Sequence, residues 1–362
     1  MEGKLFHPKR HKHLMGKKRV RIALDAMGGD FAPQSVVKGA IEAQKELKDK
    51  VELFLVGDKG KINKEFSRLK VSNSPFGLIH APEFITMADN PIDALKRKKD
   101  SSISLGINLV KKGGTDAFVS GGNTGAVMAS ALLTLGRIEG ALRPAITTCL
   151  PSEKGVVVFL DGGANTDCRP QNLFQFGVMG SIYANSILKI DNPKVGLLSI
   201  GVEQTKGNEL ILESYKLFSN SCLNFVGNVE GRDVLKGTCD VVVCDGFVGN
   251  IVLKFAESFD GFLTSLVKKR VKKSPLFRLG AFLLKISIRD LRKTLDYAEY
   301  GGAPLLGVDG VCIICHGDSS SKAIKNACKL ACDMVENEVN KTIKDKLAEN
   351  SKVLKEINEL KN

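Results

Sequence analysis

What most constrains this chain is a repeated handover, in which short β-branched runs ending in Gly, Asp or Asn each give way to a stretch of helical character. The runs are Val20–Asp25, Glu52–Val56, Ala117–Ser120, Val156–Asp161, Val195–Ile200, Asn224–Val226, Asp240–Asp245 and Val311–Cys315. Near-continuous apolar runs suit strands covered on both faces, and alternation with helices of about 10–15 residues implies βαβ units. The pattern predicts an α/β, Rossmann-like fold with a mainly parallel sheet and helices on both faces. Ligands of such sheets gather beyond the carboxyl ends of the strands, so the polar segments after the runs are where chemistry is expected.

Five of those segments are rich in glycine: Asp25-Ala-Met-Gly-Gly-Asp30, Ser120-Gly-Gly-Asn-Thr-Gly-Ala126, Asp161-Gly-Gly-Ala-Asn165, Gly201-Val-Glu-Gln-Thr-Lys-Gly-Asn-Glu209 and Asp245-Gly-Phe-Val-Gly-Asn250. Small residues at a strand-to-helix turn leave backbone N–H groups free to meet an anion. One such loop is ordinary in any α/β fold; five together point to a phosphate-bearing ligand. Neither G-x-G-x-x-G nor G-x-x-x-x-G-K-[ST] occurs, which argues against dinucleotide and P-loop sites and for a smaller ligand.

These segments, with Arg143-Pro-Ala145, Leu160 before Asp161, Gly196-Leu-Leu-Ser-Ile-Gly-Val-Glu203 with Lys206-Gly-Asn-Glu209, and Glu299-Tyr-Gly-Gly-Ala-Pro304, resemble the bacterial PlsX-type phosphate acyltransferases, in order from about Arg19 to Ala331. The resemblance implies transfer of a fatty acyl group from acyl carrier protein to inorganic phosphate, giving acyl phosphate for phospholipid synthesis. It also implies a homodimer, a fold related to isopropylmalate dehydrogenases and phosphotransacetylases, no cofactor, and the downstream membrane glycerol-3-phosphate acyltransferase as a further partner.

Phosphate attack on a thioester needs no enzyme nucleophile, because much of the phosphate is already dianionic and a thiolate of pKa near 8.5 leaves readily. What is needed is an anion cradle, an oxyanion hole and orientation. The candidate cradle is Gly28, Gly29, Gly122, Asn123, Thr124, Gly125 and Asn165, with Asn123 and Thr124 equally suited to capping a helix that starts near Gly125. The candidate catalytic residues are Lys206, Asn208, Asp245, Asn250 and His316. Lys206 either neutralises phosphate or is a solvated loop lysine. Asp245 and Asn250 flank a turn that either orients a donor or is an Asx turn. His316 is either a protonatable group near the leaving thiol or a hydrogen-bonded structural histidine. A carboxylate repels phosphate, so Asp25 and Asp30 are expected to fix their loop.

The formal charge of +13 is uneven: residues 1–21 carry +7 and residues 268–293 carry +9, leaving the rest at −3. Residues 1–18 read as a disordered basic extension, 19–335 as the catalytic domain and 336–362 as a C-terminal helix with a frayed tail. Within the domain, a basic amphipathic hairpin is expected over about 256–297, with Leu276, Phe277, Leu279, Phe282 and Leu283 as candidate membrane contacts. Burial of that apolar face in the core or a dimer interface is the alternative. Its charge, like that of Lys96-Arg-Lys-Lys99, could steer an acidic carrier protein.

No apolar run of about 18 residues occurs and the basic N-terminus lacks an apolar h-region, so a spanning or secreted protein is not expected. Nine irregularly spaced Cys favour a reducing cytosol, and with the basic hairpin the expectation is a cytoplasmic protein held peripherally on the inner face of the membrane. Nucleic-acid binding is disfavoured, because Trp is absent and the basic tracts are interleaved with Phe and Leu rather than with stacking aromatics. Cys312-x-x-Cys315 lies within a strand pattern that puts the two thiols on opposite faces, so no metal site is expected. An NAD-dependent dehydrogenase of related fold and a non-catalytic membrane adaptor are the rival functions.

Overall fold

The computed structural model describes residues 19–71, 74–272, 277, 280 and 297–359. Among the described residues the chain forms twelve strands and eleven α-helices, numbered in chain order. The strands are β1 (Val20–Asp25), β2 (Val51–Gly57), β3 (Gly77–His80), β4 (Ala117–Ser120), β5 (Ala145–Ile146), β6 (Thr148–Ser152), β7 (Gly155–Leu160), β8 (Val195–Leu198), β9 (Phe225–Val229), β10 (Val241–Val243), β11 (Ala303–Leu306) and β12 (Val311–Ile314). The helices are α1 (Gln34–Leu47), α2 (Lys59–Arg68), α3 (Pro91–Arg97), α4 (Ser102–Lys111), α5 (Thr124–Thr134), α6 (Pro170–Ser186), α7 (Glu209–Ser219), α8 (Gly231–Lys236), α9 (Gly246–Lys272), α10 (Ser321–Glu336) and α11 (Val339–Glu359).

The strands divide between two sheets. The first runs β3-β2-β1-β4-β12-β11-β5 and is parallel from β3 to β12, with β11 antiparallel to both of its neighbours. The second runs β6-β7-β10-β8-β9 and is parallel except at β6. The mainly parallel class therefore holds, as the buried apolar runs require. All eight expected strands form, within a few residues of their sequence limits. The strands without a sequence signal, β3, β5, β6 and β11, are short or carry Pro or Gly, and β3, β5 and β6 lie at sheet edges.

Alternation along β1 explains the layering. Ile22 and Leu24 enter one core with α1, α10 and α11, while Ala23 faces the opposite core with α4 and α5. The first core is continuous across both sheets: Val158 and Leu160 of β7 and Phe174, Phe176 and Met179 of α6 belong to it. Each fully buried Leu, Ile or Phe contributes about 1.5–3 kcal/mol by leaving water. The outer face of the second sheet has its own cluster, where Val157, Phe159 and Cys244 meet Val252 and Leu253 of α9. Cys312 of β12 and Cys315, the residue after that strand, fall in different cores.

Helix starts are set locally. Asp58, Ser101, Asn123, Asn208 and Ser320 each accept a first-turn N–H through the side chain, satisfying donors that have no intrahelical partner. Helix α9 is 27 residues long and begins at Gly246, upstream of the expected hairpin arm. Phe247, Ile251, Phe255, Phe259 and Phe262 along it are exposed. Of the candidate membrane contacts, Phe277 is helical and exposed; Leu276, Leu279, Phe282 and Leu283 lie outside the described residues, as does the 1–18 extension.

Candidate active site

The carboxyl ends of β1, β4 and β12 bring three loops into backbone contact. Asp25 ends β1 fully buried, accepts the Ser120 hydroxyl at 2.7 Å and the Met27 N–H at 3.0 Å, and so ties the first loop to the second. Ser120 Oγ in turn accepts the Gly122 N–H at 3.0 Å. Burial pushes the Asp25 carboxyl above its ordinary value against these donors. A Cβ on Gly28 would stand 2.6 Å from Gly122 N, and Gly29 has a φ of +107°, so neither position admits a side chain without moving the loop. The third loop closes on the first where Asp30 N–H meets the Gly317 carbonyl at 2.7 Å. Here His316 Nδ1 lies 2.7 Å from Asp318 Oδ1, both side chains about half exposed.

Helix α5 starts from the second loop. Asn123 Oδ1 accepts the Ala126 N–H at 3.0 Å, while its amide donates to the carbonyls of Thr86 and Asp89 at 3.2 and 3.1 Å. The buried Asn123 side chain is thus committed to capping α5 and holding the 86–89 segment. The N–H groups of Thr124 and Gly125 precede the capped one and have no intrahelical acceptor by helix geometry, which leaves the positive end of α5 receptive to an anion. Thr124 is exposed beside them.

The second sheet has a matching arrangement built on Asp161. Its Oδ1 accepts N–H groups of Ile146, Gly163 and Ala164 at 3.0, 3.2 and 3.0 Å, and its Oδ2 accepts the Asn165 N–H and side-chain amide at 2.7 and 2.8 Å. Burial pushes this carboxyl up as well, against its five donors. Ile146 pairs with Leu305 of β11, so Asp161 also fastens this loop to the edge of the first sheet. Asn165 donates to Pro144 O at 2.7 Å and is buried, a loop brace rather than an open donor. Asp245 Oδ1 accepts Phe247 and Val248 N–H at 2.9 Å each, and Gly246 N–H meets Asn165 O at 2.7 Å. The first-turn amides of α9 are therefore taken, with a carboxylate in front of them, unlike those of α5. Asn250 is exposed one turn into α9, next to Gly163.

After β8, Lys206 is exposed on a turn and has no ion pair among the described residues, while Asn208 caps α7 through the Ile211 N–H at 3.0 Å. Of the residues named from sequence, Gly28, Gly29, Gly122, Asn123, Thr124, Gly125 and His316 share the first assembly, and Asn165, Asp245 and Asn250 share the second. Lys206 and Asn208 stand on a separate loop beside it. Thr124, Lys206, Asn208, Asn250 and His316 are the ones with exposed side chains, and of these Asn208 spends its Oδ1 on the α7 cap. Sequence reasoning missed the organisers Ser120, Asp161 and Asn228; for Asp161 the available signal was an acid at a strand end, the same sign carried by Asp25. Burial pushes the thiols of Cys149, Cys168, Cys239, Cys312 and Cys315 up to about 12, which keeps them protonated and unreactive at neutral pH. A recess lined by Tyr215, Phe218, Ser221 and Phe225 opens at the amino end of β9, away from these loops.

The family described as "Fatty acid synthesis protein" matches residues 20–342. A phosphate acyltransferase of Desulforamulus reducens is 50% identical over 337 residues, 93% of this chain and 100% of that protein. One from Heliobacterium modesticaldum is 52% identical, covering 86% of this chain and 93% of its own. One from Pelotomaculum thermopropionicum is 49% identical, covering 91% and 95%. Among solved structures, a phosphotransacetylase from Streptococcus pyogenes superposes with a TM-score of 0.60 at 18% identity over 88% of this chain and 94% of that one. A EutD phosphotransacetylase from Staphylococcus aureus gives 0.58, also at 18% identity and over the same shares. At that identity the likeness is one of fold.

Proposed function

This chain belongs to the fatty acid synthesis protein family, whose members at 49–52% identity carry the name phosphate acyltransferase, and from that premise we propose that it moves a long-chain acyl group from the thioester of an acyl carrier protein to inorganic phosphate. The relatives' names make the chain an acyltransferase, and displace the dehydrogenase and adaptor alternatives. The observation that best supports the reading is the open N-terminus of α5 within three interlocked loops, two of them Gly-rich.

Phosphate held at Thr124 and Gly125 attacks the thioester carbonyl, forming a C–O bond and a tetrahedral oxyanion. Loop N–H groups stabilise that oxyanion, each such donor being worth about 2.7–4 kcal/mol in comparable sites. Collapse breaks the C–S bond; the products are acyl phosphate and the carrier thiolate, which takes a proton from the His316 side or from water. Lys206 balances phosphate charge, with Asn250 as a further polar group. Asp25, Asp161 and Asp245 act through the loops they shape.

The direct test is phosphate-dependent release of free thiol from palmitoyl-[acyl carrier protein], with hydroxylamine trapping of acyl phosphate. Release that needs phosphate and no nucleotide is expected; a folded protein that releases none overturns the carrier as donor. Lys206→Ala should lower kcat/KM for phosphate on the order of 100-fold while leaving stability within about 0.5 kcal/mol, since the side chain is exposed. Wild-type kinetics would remove Lys206 from the site.

The same reading includes a homodimer working at an anionic membrane surface and passing acyl phosphate to a membrane glycerol-3-phosphate acyltransferase. Support comes from the exposed aromatic row on α9 and the cations Lys268, Lys269 and Arg270 at its far end. Phe277→Glu is expected to abolish sedimentation with phosphatidylglycerol-containing vesicles and to spare turnover of carrier-bound substrate. Unchanged sedimentation would assign Phe277 to another surface.

A further inference from the structure

The turn that carries Lys206 is held from beneath by one buried side chain. Residues 203–206 form a tight turn in which Lys206 N–H donates to Glu203 O at 3.0 Å. Asn228, near the carboxyl end of β9, inserts its amide under both ends of that turn: Nδ2 donates to Glu203 O at 2.9 Å and to Lys206 O at 3.4 Å. Ser199 Oγ adds a bond to Lys206 O at 3.2 Å, and Ser199 N–H meets Val229 O at 2.8 Å, so the turn is joined to β9 at both levels. Gly201 completes the close approach, since a Cβ there would stand 2.9 Å from Lys206 Cγ.

The chemistry of this contact is specific to asparagine. Asn228 is 5% exposed, and two carbonyl oxygens face one nitrogen that has two hydrogens to give. Aspartate, of the same size, would set lone pairs against both carbonyls; leucine would leave each with a single donor, Lys206 N–H on the Glu203 carbonyl and Ser199 Oγ on that of Lys206. The Asn228 Oδ1 is buried with no partner among the described residues, so the site tolerates an unsatisfied acceptor to keep the double donor. A buried amide used this way fixes the Lys206 backbone against the sheet while the ammonium stays in solvent.

We propose that Asn228 is a positioning residue for phosphate transfer, setting where the Lys206 ammonium stands by clamping both ends of its turn. The inference rests on the proposed role of Lys206 in balancing phosphate charge. A displacement of about 1 Å in such a group is enough to cost up to about 100-fold in rate. Because Asn228 acts through Lys206, its loss should matter only while the lysine is present.

The experiment is a double-mutant cycle with Lys206→Ala, Asn228→Ala and the pair, read in the phosphate-dependent thiol-release assay with melting curves for each protein. Asn228→Ala is expected to lower kcat/KM for phosphate on the order of 30-fold with KM for the acyl donor unchanged, and the double variant should be no slower than Lys206→Ala. Independent, multiplying losses would show a merely structural role and overturn the proposal, as would wild-type kinetics in Asn228→Ala. If Lys206→Ala is itself fully active, the role of Lys206 fails and the positioning role fails with it. Should Asn228→Ala not fold, Ser199→Ala removes the other side-chain bond to the Lys206 carbonyl and should give a smaller loss with the same dependence on Lys206; additive behaviour there overturns the proposal equally.

Discussion

Replacing Gly249 by Ala is expected to destabilise this protein by about 3 kcal/mol or more, although the same change inside a helix ordinarily stabilises by about 1 kcal/mol. The reason is how closely α9 docks on the loop after β7. A Cβ at Gly249 would lie 1.9 Å from the Asp161 carbonyl oxygen, which is backbone and cannot rotate away. Either α9 lifts from the second sheet, exposing Val252 and Leu253, or the Asp161 loop shifts and its five donors lose alignment. Gly261 on the same helix provides the control, because nothing stands within 4 Å of its Cβ position. Urea denaturation should show Gly261→Ala slightly more stable than wild type and Gly249→Ala far less stable. Equal midpoints for Gly249→Ala and wild type would mean that α9 does not seat this closely. Activity should fall with the same substitution, since Asn250 is the next residue.

Asp161→Asn is expected to cost about 4 kcal/mol, the second large effect. The variant keeps one carbonyl oxygen for Ile146, Gly163 and Ala164, but turns an NH2 toward the two donors of Asn165. Two buried donors then face a donor, at about 2 kcal/mol each. The effect should depend on pH. Burial raises the folded-state carboxyl above its ordinary value, so the folded protein binds a proton more readily than the unfolded chain between about pH 4 and that raised value. The contribution of Asp161 is therefore fully present at the acid end of this range and declines as pH rises through it. The margin of wild type over Asp161→Asn should narrow from pH 4.5 to pH 7 in paired urea titrations. A margin that widens toward neutral pH would show that the five donors outweigh burial.

The α/β class, eight of the twelve strands found among the described residues, and the glycine-rich turns where chemistry would lie are all legible before the chain folds. These are local signals: an apolar run covered on both faces, and small residues at a strand end, announce themselves without knowledge of neighbours. Tertiary structure alone decided that the strands divide into two sheets, because β10 joins β7 and β8 through pairings that cross long stretches of chain. It also decided which polar side chains are spent on scaffolding. Asn123, Asn165, Asn208 and Asp245 look in sequence as available as Thr124, Asn250 or His316, yet each of the four meets backbone donors or acceptors once the loops pack. Asp161 and Asn228 carried little sequence signal, since an acid or an amide near a strand end is common. Their weight comes from burial, which charges heavily for any polar group left unpaired and so makes the partner, rather than the residue type, decide what a side chain does.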